Sequence, residues 1–585
     1  MLWKVSWPYL RQHWGTALAI VALQFISTMG ALYLPDLNAS IIDEGVVVGD
    51  VGRVWVLGGV MLAVSAVQGV TAGIAVYLSA KLTMGLGADL RRKVFTHAQD
   101  FSAQEVHSFG APSLITRNTN DVQQIQMVML MLFNVIMAAP IMGIGGAVMA
   151  LKMNVKLSSI LLVIIPIIAV TMLLAYRTLS PRFSAQQLRL DGMNTVLREE
   201  LSGVRVIRAF VKQDEIDGKY EDANSALRDV ALGIGAVFAI IFPFLQLVAS
   251  AGSVAVVWFG ARLIDSGSME IGALLAFISY LYMIFGATMT ASMMFFMLPR
   301  ATVTARRINA VLTTVPSVEA PEDERLQVIP EGQLDFQYQG VCLRYPGAEE
   351  PVLQDINATL KAGTTTAVIG STGSGKSTLA NLLPRLMDPS SGQITVSNGS
   401  VAVNTKDVDP FALRDRIGFV PQTAYLFSGT VASTVSGTEH PTEEEKARVN
   451  RALEGAQATE FVSELENGLD ERVDAGGRNF SGGQRQRLTM ARALYREADL
   501  YVFDDSFSAL DYATDAKIRN SLRDYVGNAA VLIVAQRVAT IRHADAILVL
   551  DNGRIVGHGT HNELLETNET YKEIVESQLT VEEQA

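Results

Sequence analysis

The chain has 585 residues, 49% of them apolar and only 18% charged, with a formal net charge of −12. That length exceeds what one hydrophobic core requires, and the charged fraction is well under the ~25% of soluble proteins. The acidic balance offers no electrostatic footprint for nucleic acid, and a single cysteine, Cys342, excludes an internal disulfide framework.

Residues 1–14, MLWKVSWPYLRQHW, are aromatic-rich with Lys4, Arg11 and His13 among them. They lack the basic, apolar, small-residue order of a secretory signal, and an interfacial helix lying on a membrane is expected instead. Six stretches without Asp, Glu, Lys, Arg or His follow, at 16–35, 54–80, 127–151, 157–176, 232–260 and 271–298. Each has roughly the 20 apolar residues that cross ~30 Å of hydrocarbon. The segments between them differ in charge. Residues 81–126 carry Lys81, Arg91, Arg92, Lys93 and Arg117, and residues 177–230 are richer still in arginine. The opposite connections hold only Arg53, Lys152, Lys156 and Arg262. The positive-inside rule predicts that both basic segments and both termini face the cytoplasm. Helical periodicity continues through these segments, so the helices are expected to project beyond the bilayer.

An ion-coupled carrier normally places a charged group inside a span, so the energy source is expected to be a nucleotide. Gln24, Gln68 and Gln246 either bond between helices or line a path for a largely apolar substrate. Met289, Met293 and Met297, with Met294 beside them, suit helix packing or an adaptable apolar pocket.

Residues 313–331 are rich in proline and charge and read as a linker. Beyond it, strand-like and helical segments alternate, as in an α/β nucleotide-binding domain. The stretch at 370–378, GSTGSGKST, follows the apolar run 364–369 and precedes the helical pattern 379–387. Strand, glycine-rich turn and helix make a phosphate cradle of Gly370, Ser371, Thr372, Gly373, Ser374, Gly375, Lys376, Ser377 and Thr378. Its backbone N–H groups and helix N-terminus hold phosphate oxygens, Lys376 reaches the β- and γ-phosphates, and Ser377 ligates Mg²⁺. Residues 500–504, LYVFD, form an apolar strand ending in Asp504, placed to hold the same ion. A second apolar run, 530–535, ends in Gln536, and FSGGQ at 480–484 opens a helix.

Taken in this order, GSTGSGKST, FVPQ, FSGGQRQR and LYVFDD closely resemble the half-transporters of the ABC exporter family. The resemblance covers essentially the whole chain. It implies an all-α six-helix transmembrane domain over 1–312, the linker, and an α/β P-loop ABC cassette over 332–585. It further implies that Tyr345 stacks on adenine and that Gly370 to Thr378 are the Walker A loop. Gln422 is then the Q-loop residue touching Mg²⁺, and Ser481, Gly482, Gly483 and Gln484 are the signature. Asp504 becomes the Walker B aspartate, and Ser508 to Asp511 the D-loop. The cofactors are ATP and Mg²⁺, with Ser377, Gln422 and Asp504 on the metal. Segments 110–117 and 204–212 resemble the coupling regions of exporters. His558 and His561 lie in an ordinary family segment rather than a metal site.

Three positions depart from the family pattern. Asp505 stands where a glutamate usually orients the attacking water, Gln536 where a histidine usually contacts the γ-phosphate, and Ala475 where a glutamate often precedes the signature. Asp is one methylene short, about 1.5 Å, and Gln cannot carry the charge of a protonated His. This chain's own site should therefore bind ATP and hydrolyse it poorly, whereas its signature can still serve a partner's ATP. The pattern resembles the degenerate-site subunit of heterodimeric multidrug or lipid exporters in the cytoplasmic membrane. It implies a different half-transporter as partner, and an amphiphilic small molecule or lipid as substrate. Two alternatives share these motifs: an exporter-fold importer, for example of siderophores, and an ATP-gated channel or regulatory subunit.

Overall fold

The computed structural model describes residues 1–321 and 323–582, and the backbone alone at 292–296, 298–300, 323 and 579–582. They group into two compact units, Met1–Gln99 with Gly110–Thr314, and Asp100–Phe109 with Val315–Ala585.

The first unit is helical. Helix Leu2–Gln12 buries Leu2, Val5 and Leu10 and leaves Trp3 and Trp7 exposed, the amphipathic division expected of an interfacial helix. Among the described residues, six helical stretches are long and apolar enough to cross a membrane. Val51–Gln99 and Leu161–Ala209 have 49 residues each and Gln213–Asp265 has 53. At 1.5 Å per residue such a helix reaches about 75 Å, more than twice the hydrocarbon thickness, so the basic segments continue as helix.

Two spans differ from the sequence reading. Pro35 does not end the first span, because helix Trp14–Ser40 runs past it and into a π-turn, Ile41–Val46. The third span is a chain of shorter pieces. Helices Val122–Met131 and Ala138–Met153 are separated by a π-turn, Leu132–Ile136. Asn134, inside that turn, accepts from Gln24 Nε2 at 3.3 Å and donates to the Leu130 carbonyl at 3.0 Å. Gln24 thus makes an interhelical hydrogen bond, and its partner is a residue that apolar patterning passes over. The outermost spans are pinned elsewhere too. Tyr280 OH donates to the Leu32 carbonyl at 2.9 Å, and a Cβ at Gly146 would stand only 3.0 Å from Ile284. Small residues let these backbones approach where lipid supplies no hydrophobic drive. Met289 packs on the same buried cluster, whereas the Met293 and Met294 side chains lie outside the described residues.

Two sharp turns occur in the basic segments. Gly110 takes φ +76° before the short helix Ala111–Thr116, and Val211 takes φ +53° between Leu161–Ala209 and Gln213–Asp265.

The second unit is α/β. Its strands are β1 Asp335–Leu343, β2 Leu353–Leu360, β3 Thr365–Gly370, β4 Ser391–Ser397, β5 Ala402–Asn404, β6 Ile417–Val420, β7 Gly429–Thr430, β8 Arg472–Val473, β9 Leu500–Asp504, β10 Ala530–Val534, β11 Ala546–Asp551 and β12 Arg554–Gly559. An antiparallel sheet has the order β2-β1-β4-β5, and the main sheet the order β12-β11-β3-β10-β9-β6. In the main sheet β11, β3, β10, β9 and β6 run parallel. Every residue of β9 and β10 is buried, as continuous apolar runs covered on both faces should be. The register sets Val534 beside both Val368 and Asp504. The parallel strands therefore deliver 370–377, Gln536, Asp504 and Gln422 to one edge of the sheet, the carboxyl end where open α/β sheets bind ligands.

Candidate nucleotide site

The loop after β3 is shaped by its glycines. A Cβ at Gly370 would collide with the Leu550 carbonyl oxygen, and Gly375, at φ +100°, lies against Leu353 and Val352. A β-carbon does not fit at Gly370 or Gly375, and the resulting curl brings successive N–H groups to the start of helix Lys376–Leu382. Lys376 Nζ donates to the carbonyls of Gly370 at 2.9 Å and Ser371 at 2.7 Å, across the mouth of the loop. Burial pushes its pKa below the usual lysine value, against the pull of Asp505 and Asp504. Ser374 Oγ is buried without a hydrogen-bond partner. A glycine-shaped backbone cradle, a buried ammonium across its mouth and a spare buried hydroxyl fit a polyphosphate.

Ser377 Oγ donates to Asp504 Oδ1 at 2.8 Å. Burial raises the Asp504 pKa, the Ser377 hydrogen bond and Lys376 oppose that shift, and Asp505 adds to it. Two hard oxygens, one of them on a carboxylate that gains from a cation, suit Mg²⁺, which keeps its remaining positions for phosphate and water. Tyr345, partly exposed, places its hydroxyl 3.3 Å from Thr378 Oγ1 at the end of the loop.

Asp505 is a left-handed residue, φ +47°, whose N–H bonds to the Val534 carbonyl at 3.0 Å. That strain, costing of order 1–3 kcal/mol, is the kind concentrated at functional sites. Its Oδ2 accepts from Gln536 Nε2 at 2.7 Å and from Gln422 Nε2 at 3.3 Å. The two residues that depart from the family pattern thus touch each other, and a neutral amide occupies the carboxylate. Both bonds consume amide N–H groups, so the Gln422 amide oxygen is not used by its bond.

The FSGGQ segment stands apart. Ser481 caps helix Gly482–Tyr495 and exchanges hydrogen bonds with Gln484, whose Oε1 accepts the Ser481 N–H at 2.9 Å. Gly482 faces open space, and Gly483 approaches the Ala509 carbonyl. Among the described residues no hydrogen bond joins 481–484 to 370–378. The structure brings together Tyr345, Lys376, Ser377, Gln422, Asp504, Asp505 and Gln536, and leaves the signature on an exposed helix N-terminus. One contact at the site escapes sequence reading. Gln578, on helix Glu569–Glu582, bonds the backbone on both sides of Arg537. It lies 42 residues beyond Gln536 and looks like any polar residue of a surface helix.

Fold and site together define a membrane protein with, among the described residues, six helices long and apolar enough to span, and an α/β domain built to bind a nucleoside triphosphate. Residues 17–288 match the family model described as ABC transporter transmembrane region, and residues 353–508 the one described as ABC transporter. A Mycobacterium tuberculosis protein described as an ABC transporter ATP-binding protein is 44% identical over 577 residues, covering 97% of each chain. The chain belongs to the ABC transporter family. A relative from Desulfotalea psychrophila, described as an ATP-dependent lipid A-core flippase, is 28% identical over 83% of each chain. The solved structure of a bacterial Atm1-family ABC exporter with ATP bound matches with TM-score 0.79 over 97% of this chain and 98% of that one, at 20% identity. The fold is the ABC exporter fold, and the chain is an ATP-driven transporter of that type.

Proposed function

We propose that this chain is the degenerate-site half of a heterodimeric exporter that moves amphiphilic or lipid molecules across the cytoplasmic membrane. The carrying observation is the Asp505–Gln536 contact: the carboxylate in the water-orienting position is short by a methylene and tied by a side-chain amide at 2.7 Å. Gly370 to Thr378 hold the triphosphate of ATP, and Ser377, Asp504 and the Gln422 amide oxygen hold Mg²⁺, which neutralises phosphate charge when bound. Tyr345 stacks on the adenine. Asp505 is a methylene short of the water-orienting position and its Oδ2 is engaged by Gln536, so the nucleotide is hydrolysed slowly or hardly at all. Ser481 to Gln484, on an open helix N-terminus, are free to close on the partner's ATP. Hydrolysis then runs where the partner supplies the glutamate and histidine. Binding energy closes the cassettes, and the turns near Gly110–Arg117 and Val204–Lys212 pass the motion to the spans.

The arginine-rich helical extensions support a cytoplasmic cassette and cytoplasmic termini. Spans whose interiors hold amides and hydroxyls rather than charges favour an amphiphile over an ion. The relative described as a lipid flippase supports a lipid-like substrate class.

ATPase activity of this chain alone, and co-expressed with candidate half-transporters, tests the proposal. Little activity alone and strong activity with one partner, abolished by removing the partner's Walker B glutamate, is the expected result. Robust turnover by the chain alone refutes it.

A further inference from the structure

We infer that Gln578, on the C-terminal helix, is a positioning residue that sets the switch segment 536–538 and, through it, the Gln536 amide on Asp505. This rests on the nucleotide-site reading and not on the heterodimer.

Gln578 Oε1 accepts the Val538 N–H at 2.8 Å, and Gln578 Nε2 donates to the Gln536 carbonyl at 2.7 Å. One side-chain amide thus spans three residues of backbone, using both its donor and its acceptor. A carboxylate has no donor and an ammonium no acceptor, and asparagine is a methylene shorter, so glutamine is the side chain that fits. The helix is held there by packing. Tyr571 and Val575, one turn apart, share a buried cluster with Val538 and Ile541 of the switch helix Val538–Ile541. Gln578 continues that face at the next turn. Val538 is itself buried, and its N–H would otherwise lack a partner inside the protein.

The consequence reaches the reacting edge through a short path. With the Gln536 carbonyl and Val538 N–H fixed, the Gln536 side chain leaves the backbone in one direction, toward Asp505 Oδ2 at 2.7 Å. Arg537, between the clamped groups, lies over the Tyr512 ring at 5.0 Å, just after the D-loop. Docking of the C-terminal helix therefore reads out at both the switch residue and the D-loop side of the site.

The test uses the full chain in nanodiscs with Gln578→Met, Gln578→Glu, Gln536→Ala and the Gln536→Ala/Gln578→Met pair. Two readouts are hydrogen exchange at the Val538 amide and the dissociation rate of a fluorescent Mg·ATP analogue. Gln578→Met should lose Val538 protection, whereas Gln578→Glu, which keeps an acceptor, should retain it. Gln578→Met should release the nucleotide about 5- to 10-fold faster, the loss expected once the single Gln536–Asp505 hydrogen bond is no longer oriented. In the Gln536→Ala background the same change should have no further effect. An equal fold-change in both backgrounds would mean that Gln578 only holds the helix, and would overturn the inference. Unchanged Val538 protection in Gln578→Met would overturn it as well. Failure of the wild-type chain to bind the analogue would refute the nucleotide reading alone, because exchange at Val538 still tests the clamp.

Discussion

Replacing Asp505 by Glu and Gln536 by His should restore hydrolysis to this chain's own site. In the native chain Asp505 Oδ2 accepts from Gln536 at 2.7 Å and from Gln422 at 3.3 Å. A general base must come within ~2.6–3.2 Å of its proton, and Asp falls about 1.5 Å short of Glu. Misplacement by ~1 Å costs on the order of 10²-fold. Asp505→Glu should therefore raise single-turnover hydrolysis about 10²-fold. Gln536→His removes the amide that occupies the carboxylate and supplies a ring nitrogen for the γ-phosphate. Because such groups act as a unit, the double variant should gain about 10²- to 10³-fold rather than the full product. The assay is single-turnover release of labelled phosphate from ATP by the purified chain in nanodiscs at two copies per disc, so that the intact signature of one copy can meet the ATP of the other. A double variant within about threefold of the native rate would refute the reasoning. So would a native rate already at the ~1–100 s⁻¹ of efficient phosphoryl transfer.

Mg·ATP affinity should fall on acidification from a pH above 3.8, because burial raises the Asp504 pKa and the neutral, protonated carboxyl no longer attracts the cation. It should also fall on the alkaline side from a pH below 10.5, because burial lowers Lys376, and the neutral amine no longer attracts phosphate. Titration calorimetry across pH checks both limbs, and affinity flat between those values and breaking only at them would contradict the burial effects. Tyr338 OH, fully buried, donates to the Leu379 carbonyl in the helix after the phosphate loop at 2.9 Å, so Tyr338→Phe should destabilise the second unit by about 1 kcal/mol in denaturant melts. In the membrane unit, Gln24→Leu leaves Asn134 without its interhelical donor and should cost about 0.6–1.7 kcal/mol in detergent unfolding, while Asn134→Leu in that background should add only the loss of its own bond to the Leu130 carbonyl.

Much of this protein is a matter of local pattern. Span length and hydropathy, arginine placement, the glycine spacing of 370–378 and an apolar strand closed by Asp504 all depend on residues close in sequence, where side-chain chemistry acts directly on backbone and solvent. The departures at Asp505 and Gln536 were equally legible, as single residues in recognisable segments. Their contact was not. It exists because β10 pairs in parallel with β9, so that residues 31 apart in sequence end side by side. Tertiary structure likewise decided that the third span carries a π-turn around Asn134, whose side chain meets Gln24 of the first span. It decided too that Gln578 reaches the switch backbone. A polar residue on an amphipathic helix carries no mark of its partner, and only the docking of Tyr571 and Val575 into the buried cluster that also holds Val538 and Ile541 selects one.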